Sequence, residues 1–112
     1  MQPDEVRLRH MLDAAHKTLA FTDGRSRDDL DTDEQLTLAI VRLLEIIGEA
    51  AKKVTTETRA AHPEIPWRDI AGTRDRLIHG YFDVDLDVVW SIAMGDLPAL
   101  VASLEAILES ED

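Results

Sequence analysis

Residues 31–54 read DTDEQLTLAIVRLLEIIGEAAKKV. Leu36, Ile40, Leu43, Leu44, Ile47, Ala50, Ala51 and Val54 recur at intervals of three and four. On a helix of 3.6 residues per turn they form one apolar stripe, and no period-two alternation competes with it. The spacing predicts a helix that starts between Asp31 and Asp33, where a carboxylate can cap free N–H groups, and runs towards Thr58. At about 25 residues it would span nearly 40 Å and be the longest element of the chain. Gly48 in its middle costs up to about 1 kcal/mol relative to alanine, which points to close approach of another helix there.

Helical periodicity continues on either side. Leu8, Met11, Leu12, Ala15 and Leu19 predict a helix over residues 4–21, with Pro3, Asp4 and Glu5 suited to its first turn and Thr22-Asp23-Gly24 ending it. After the connector His62-Pro63-Glu64-Ile65-Pro66, a short helix is expected from Pro66 or Trp67 to His79, with Gly80 as a left-handed cap. A loop follows over residues 81–84. Asp85 then caps a last helix carrying Leu86, Val89, Trp90, Ala93, Leu97, Leu100, Val101, Leu104, Ile107 and Leu108. At Pro98 that helix either restarts, capped by Asp96, or kinks and continues. Trp67, Trp90 and Phe82 read as core or interface. The expectation is one all-α domain over residues 1–112.

At 112 residues such a bundle buries about two-thirds of its unfolded surface, and gains from pairing with a second copy. The chain has no cysteine, which excludes disulfides and thiolate metal sites and fits a reducing cytoplasm. No apolar run is expected to reach the roughly 18–20 residues that cross a bilayer, and the acidic N-terminus has no apolar signal core. Net charge is −11, which argues against non-specific binding to nucleic acid or anionic membranes. The charge is unevenly spread. Residues 1–41 carry −4, residues 42–80 carry +1, and residues 81–112 carry −8 with no lysine or arginine.

The positive middle segment closes on Arg74-Asp75-Arg76-Leu77-Ile78-His79-Gly80-Tyr81. Arginine offers a permanently charged fork for phosphate oxygens, histidine can exchange a proton near neutral pH, and tyrosine adds a hydroxyl or a stacking face. Together they suit metal-independent RNA cleavage. A 2′-hydroxyl attacks the adjacent phosphate, the imidazole moves protons, and Arg74 stabilises charge on the phosphoryl oxygens. The plain alternative is a solvated helix end capped by His79. His10, His16 and His62 have no spacing that compels a metal site. On a regular helix Arg74 and His79 would lie about 140° apart, whereas Asp75 and His79 would be neighbours. Either the helix unwinds and swings His79 round, or the site is a groove bordered by this segment from two chains.

The same segment resembles the motif of the HepT-like branch of the HEPN superfamily: an Arg, a polar residue, three residues, His, any residue, Tyr. Leu44-Glu45-Ile46-Ile47-Gly48-Glu49-Ala50-Ala51-Lys52-Lys53 resembles that family's second-helix signature. Ile65-Pro66-Trp67-Arg68-Asp69-Ile70-Ala71-Gly72 resembles the approach to its catalytic helix. Residues 81–98 resemble its C-terminal part. The resemblance implies an antiparallel four- or five-helix HEPN bundle that forms a homodimer, with both motifs lining a cleft. It implies a cofactor-free endoribonuclease toxin of a type VII toxin–antitoxin pair. Its partner would be an MntA-like minimal nucleotidyltransferase that transfers AMP to Tyr81. Arg74 and His79 would be catalytic with Asp75 orienting, and Arg76 would assist RNA binding. Asp75 is a departure, since relatives often carry Asn there; a carboxylate can orient His79 but repels phosphate. The alternative function is a catalytically weak subunit that binds the nucleotidyltransferase.

Overall fold

The structure is a computed structural model, and it describes residues 3–79 and 83–110. Helix α1 spans Pro3–Thr22, and its end is marked by Gly24, whose φ of 74° lies in the left-handed region. A single turn, α2 (Asp29–Thr32), leads into α3 (Glu34–Lys52). Asp33 caps α3 by accepting from the Leu36 amide at 3.0 Å, at the edge of the predicted start. The first residues of α1 touch the chain just beyond the end of α3, because the Asp4 carboxylate accepts from the Thr55 amide (3.1 Å) and hydroxyl (2.6 Å). The two long helices are therefore antiparallel.

Helix α3 ends earlier than its stripe suggested. Thr55 adopts an extended conformation and its hydroxyl caps a separate helix, α4 (Thr56–Ala61). Three β-branched residues in succession, Val54-Thr55-Thr56, and the pull of Asp4 override the helical pattern there. The short third helix is also divided, into α5 (Trp67–Ala71) and α6 (Thr73–Leu77). Trp67 is buried, as expected, and its indole donates to the His62 carbonyl at 3.0 Å.

Beyond α6 the structure corrects the predicted helix to His79. Ile78 is extended, and Ile78–His79 (β1) pairs antiparallel with Asp83–Val84 (β2). The Asp85 amide donates to the Leu77 carbonyl at 2.7 Å, which closes the hairpin and takes an acceptor the helix would have used. Gly80, expected as the cap, lies outside the described residues, as does Phe82. Asp85 also caps α7 (Leu86–Ser91) through the Asp87 and Val88 amides.

Of the two readings of Pro98, the structure supports continuity. A π-helical turn, Ile92–Asp96, joins α7 to α8 (Leu97–Ser110), and the Leu97 amide donates to Ile92, five residues back. Proline has no N–H to bond the preceding turn, and the wider turn absorbs the mismatch. Leu86–Ser110 is thus one helix of 25 residues, with mean hydropathy 1.5 over an 18-residue window. By length and composition it could cross a bilayer, contrary to the expectation that no stretch would qualify. Its apolar side chains Val89, Ile92, Leu97, Leu100, Leu104 and Ile107 are buried in this fold, and 44% of that window is covered.

The core joins Leu8, Met11 and Ala15 of α1 to Ile40, Leu44 and Ala51 of α3 and to Leu104 of α8. Deleting such a buried leucine costs about 2–5 kcal/mol. Gly48 does what its position suggested. A methyl group there would lie 3.1 Å from the Ile70 carbonyl oxygen and 3.4 Å from the Thr73 Cβ. Only the missing side chain lets α5 and α6 lie this close against α3.

Candidate active site

Helix α6 turns Thr73 and Leu77 inward, one helical turn apart, and both are buried. The three residues between them, Arg74, Asp75 and Arg76, are consequently exposed. The Thr73 hydroxyl donates to the Ile70 carbonyl at 2.6 Å and secures the junction with α5. Arg74 makes no hydrogen bond or ion pair among the described residues, so its guanidinium is available to an anion. Arg76 faces Asp96 of the π-helical turn, Nη2 to Oδ2 3.7 Å. Both side chains are about half exposed, and a pair of this kind contributes at most about 1 kcal/mol. A phosphate can compete for Arg76 against so weak a partner.

Beside this pair lies a cavity of about 340 Å³. Ile47, Ile70, Ile92 and Leu100 contribute to its apolar wall, and Arg76 and Asp96 stand at it as charged groups. An apolar recess with few polar groups at its edge is a common form of ligand site.

The end of α6 changes the relation among the motif residues. The helical neighbourhood of Asp75 and His79 is lost, because the chain leaves the helix at Ile78. In the hairpin, His79 stands directly across from Asp83, an exposed carboxylate of β2. Unwinding, one of the two geometries left open by the spacing, therefore occurs, and it occurs before Gly80. Tyr81 lies outside the described residues, as does the imidazole of His79. His16 and His62 take structural pairings instead, with Glu105 (3.5 Å) and Glu64 (3.7 Å). Sequence reasoning passed over Asp96 and Asp83. Asp96 had been read only as a helix cap, and Asp83 becomes prominent only once the strand register is known.

Residues 11–107 match the family model described as Ribonuclease HepT-like. The chain belongs to the HepT-like ribonuclease family. Curated relatives agree with this assignment. A protein of Caldanaerobacter subterraneus subsp. tengcongensis, named "Putative RNase TTE0752", is 40% identical over 104 residues, covering 93% of each chain. The "Probable ribonuclease HepT" of Thermococcus cleftensis is 42% identical over 87 residues, 78% of this chain and 79% of its own. No solved structure matches. As a HepT-like protein the chain has the expected all-α HEPN bundle, and a ribonuclease activity is what its relatives' names support.

Proposed function

We propose that this HepT-like protein is a metal-independent endoribonuclease and the toxin of a toxin–antitoxin pair, working as a homodimer in a reducing cytoplasm. The observation that carries the reading is the end of α6. It displays the unpaired Arg74 and the weakly held Arg76, and the chain then turns into the strand that bears His79. In this reading the 2′-oxygen of RNA attacks the adjacent phosphorus while the bond to the 5′-oxygen breaks. His79 passes the proton lost by the 2′-hydroxyl to the departing 5′-oxygen, and Arg74 holds the phosphoryl oxygens as their charge grows. Arg76 binds the strand. Asp75 orients the site, with Asp83 as a second carboxylate placed by register. The homodimer is supported by the exposed Met94 and the half-buried Trp90 and Val101 of the last helix, which leave apolar surface for a second copy.

The test is incubation of purified protein with total RNA and tRNA in EDTA, beside His79→Ala. Cleavage by the wild type and a loss of about a hundredfold or more in the variant are expected. Equal cleavage by both would sink the role of His79.

In the same proposal an MntA-like nucleotidyltransferase transfers AMP from ATP to Tyr81. A bulky anion beside the motif would then block RNA and occupy Arg74. The net charge of −8 over residues 81–112 favours a second reading, in which the chain is a catalytically weak subunit that docks on a basic nucleotidyltransferase surface. Intact mass after co-expression with such an enzyme addresses the modification. A gain of one AMP, absent in Tyr81→Phe, is expected; a gain that persists in Tyr81→Phe argues against that site.

A further inference from the structure

Away from α6, a pocket of about 210 Å³ opens between α1 and α3. Arg7 and His10 from α1, Arg42 from α3 and Lys53 just beyond the end of α3 line it, with Ile46, Glu49 and Ala50. Arg42, Ile46 and Glu49 fall on one stripe of α3, roughly 130° round the helix from the Gly48 contact with α5 and α6, and Lys53 follows directly on the helix end. The pocket is therefore separate from the α6 motif, and nothing in the cleavage scheme uses it.

Its charge is anomalous for this chain. Acidic residues outnumber lysine and arginine 23 to 12, yet only some of the arginines pair with a carboxylate among the described residues. Arg9 pairs with Glu5, Arg25 with Asp29 and Asp33, Arg27 with Asp31 and Asp87, and Arg76 with Asp96. Arg7, Arg42, Lys53 and His10 make no such pair among the described residues. The one carboxylate that lines the pocket, Glu49, lies 3.7 Å from Lys52, outside the pocket. Asp4 exerts an attraction on Arg7, but its oxygens are taken by Thr55 and Thr58. The Nε of Arg7 is buried and has no hydrogen-bond partner. A buried donor without an acceptor is unfavourable, so an anion that supplied one would relieve it.

We propose that the α1–α3 pocket binds a phosphoryl group. Two arginines on facing helices and a lysine at the end of one of them supply charge and fork-shaped donors, the combination that recognises phosphate oxygens. The group is either a backbone phosphate of a nucleic-acid strand or the phosphate of a free nucleotide, since both present anionic non-bridging phosphoryl oxygens.

The experiment is an NMR titration of the full chain with inorganic phosphate, then with AMP, then with a short single-stranded DNA, which has no 2′-hydroxyl and cannot be cleaved by the proposed route. Shifts that saturate at His10, Arg42 and Lys53 are expected, with affinity falling about tenfold or more in the Arg42→Ala/Lys53→Ala variant and unchanged in Arg74→Ala. Both substituted residues are exposed, and an unaltered melting temperature verifies the fold. AMP binding more tightly than phosphate identifies a nucleotide site, and tighter binding of the oligonucleotide than of AMP identifies a strand site. Absence of saturable shifts in the pocket, or equal phosphate affinity in the double variant, would overturn the proposal. The phosphate arm does not depend on ribonuclease activity, so loss of one reading leaves the other standing.

Discussion

Gly48 is the residue at which local preference and tertiary packing oppose each other most directly. Alanine there would favour the helix by about 1 kcal/mol in isolation. Its methyl group, however, would sit 3.1 Å from the Ile70 carbonyl, an oxygen already accepting from the Thr73 hydroxyl. That neighbour is backbone and cannot rotate aside. Gly48→Ala is therefore expected to destabilise the protein by about 1–2 kcal/mol, read as a lower denaturation midpoint. Because the strain falls on the α5–α6 junction, ribonuclease activity should fall as well. Gly95, with nothing within 4 Å of an added Cβ, is the control, and its alanine variant should keep the helical gain of up to about 1 kcal/mol. A stabilised Gly48→Ala would mean that α6 is not held in place by this contact.

Among the elements, much of the helical pattern was legible and much of its termination was not. Residues 31–54 announce α3 because its stripe, its Asp33 cap and its glycine all act within one or two turns. Asp85 could be read as a cap for the same reason. The early ends of α3 and α6 depend on groups beyond the reach of a helical turn. Thr55 is held by Asp4, fifty-one residues distant, and the Leu77 carbonyl is claimed by the Asp85 amide. The candidate site was legible as a set of residue types but not as geometry. The relation of Asp75 to His79 assumed a helix that stops at Leu77, and the pocket of Arg7, His10, Arg42 and Lys53 exists only after two helices pack.

The Asp4 clasp has a measurable consequence. Burial pushes the Asp4 carboxyl upward, but the hydrogen bonds from Thr55 and Thr58 outweigh it and hold the group below its ordinary value. A carboxyl lowered in the folded state contributes stability above its unfolded pKa, near 4, and loses it as pH falls through the folded value. Asp29 and Asp33 are lowered too. Asp29 is held chiefly by the Ser26 amide, Asp33 by the Leu36 amide, and both are helped by Arg25. The melting temperature should accordingly drop as pH falls below about 4. Asp4→Asn should be less stable at pH 7 and lose less on acidification, and parallel curves for both proteins would contradict this account.

At the scale of the whole molecule, the open matter is whether one chain or two complete the site. A small bundle with apolar surface along its last helix gains from a second copy, and a two-fold dimer would set two α6 motifs against each other. In such a dimer Arg74 of one copy can serve His79 of the other. Arg74→Ala and His79→Ala would each be inactive alone. Mixed and allowed to exchange subunits, about half of the dimers become hybrids, each with one intact site of two, so roughly a quarter of wild-type activity returns. If Arg74 and His79 act within one chain, a hybrid has no intact site and activity stays at the level of the single variants. Subunit exchange itself is verified by mass spectrometry under native conditions. The measurement thus separates a shared cleft from two independent ones without requiring the RNA substrate to be known in advance, because total RNA serves for both variants and their mixture.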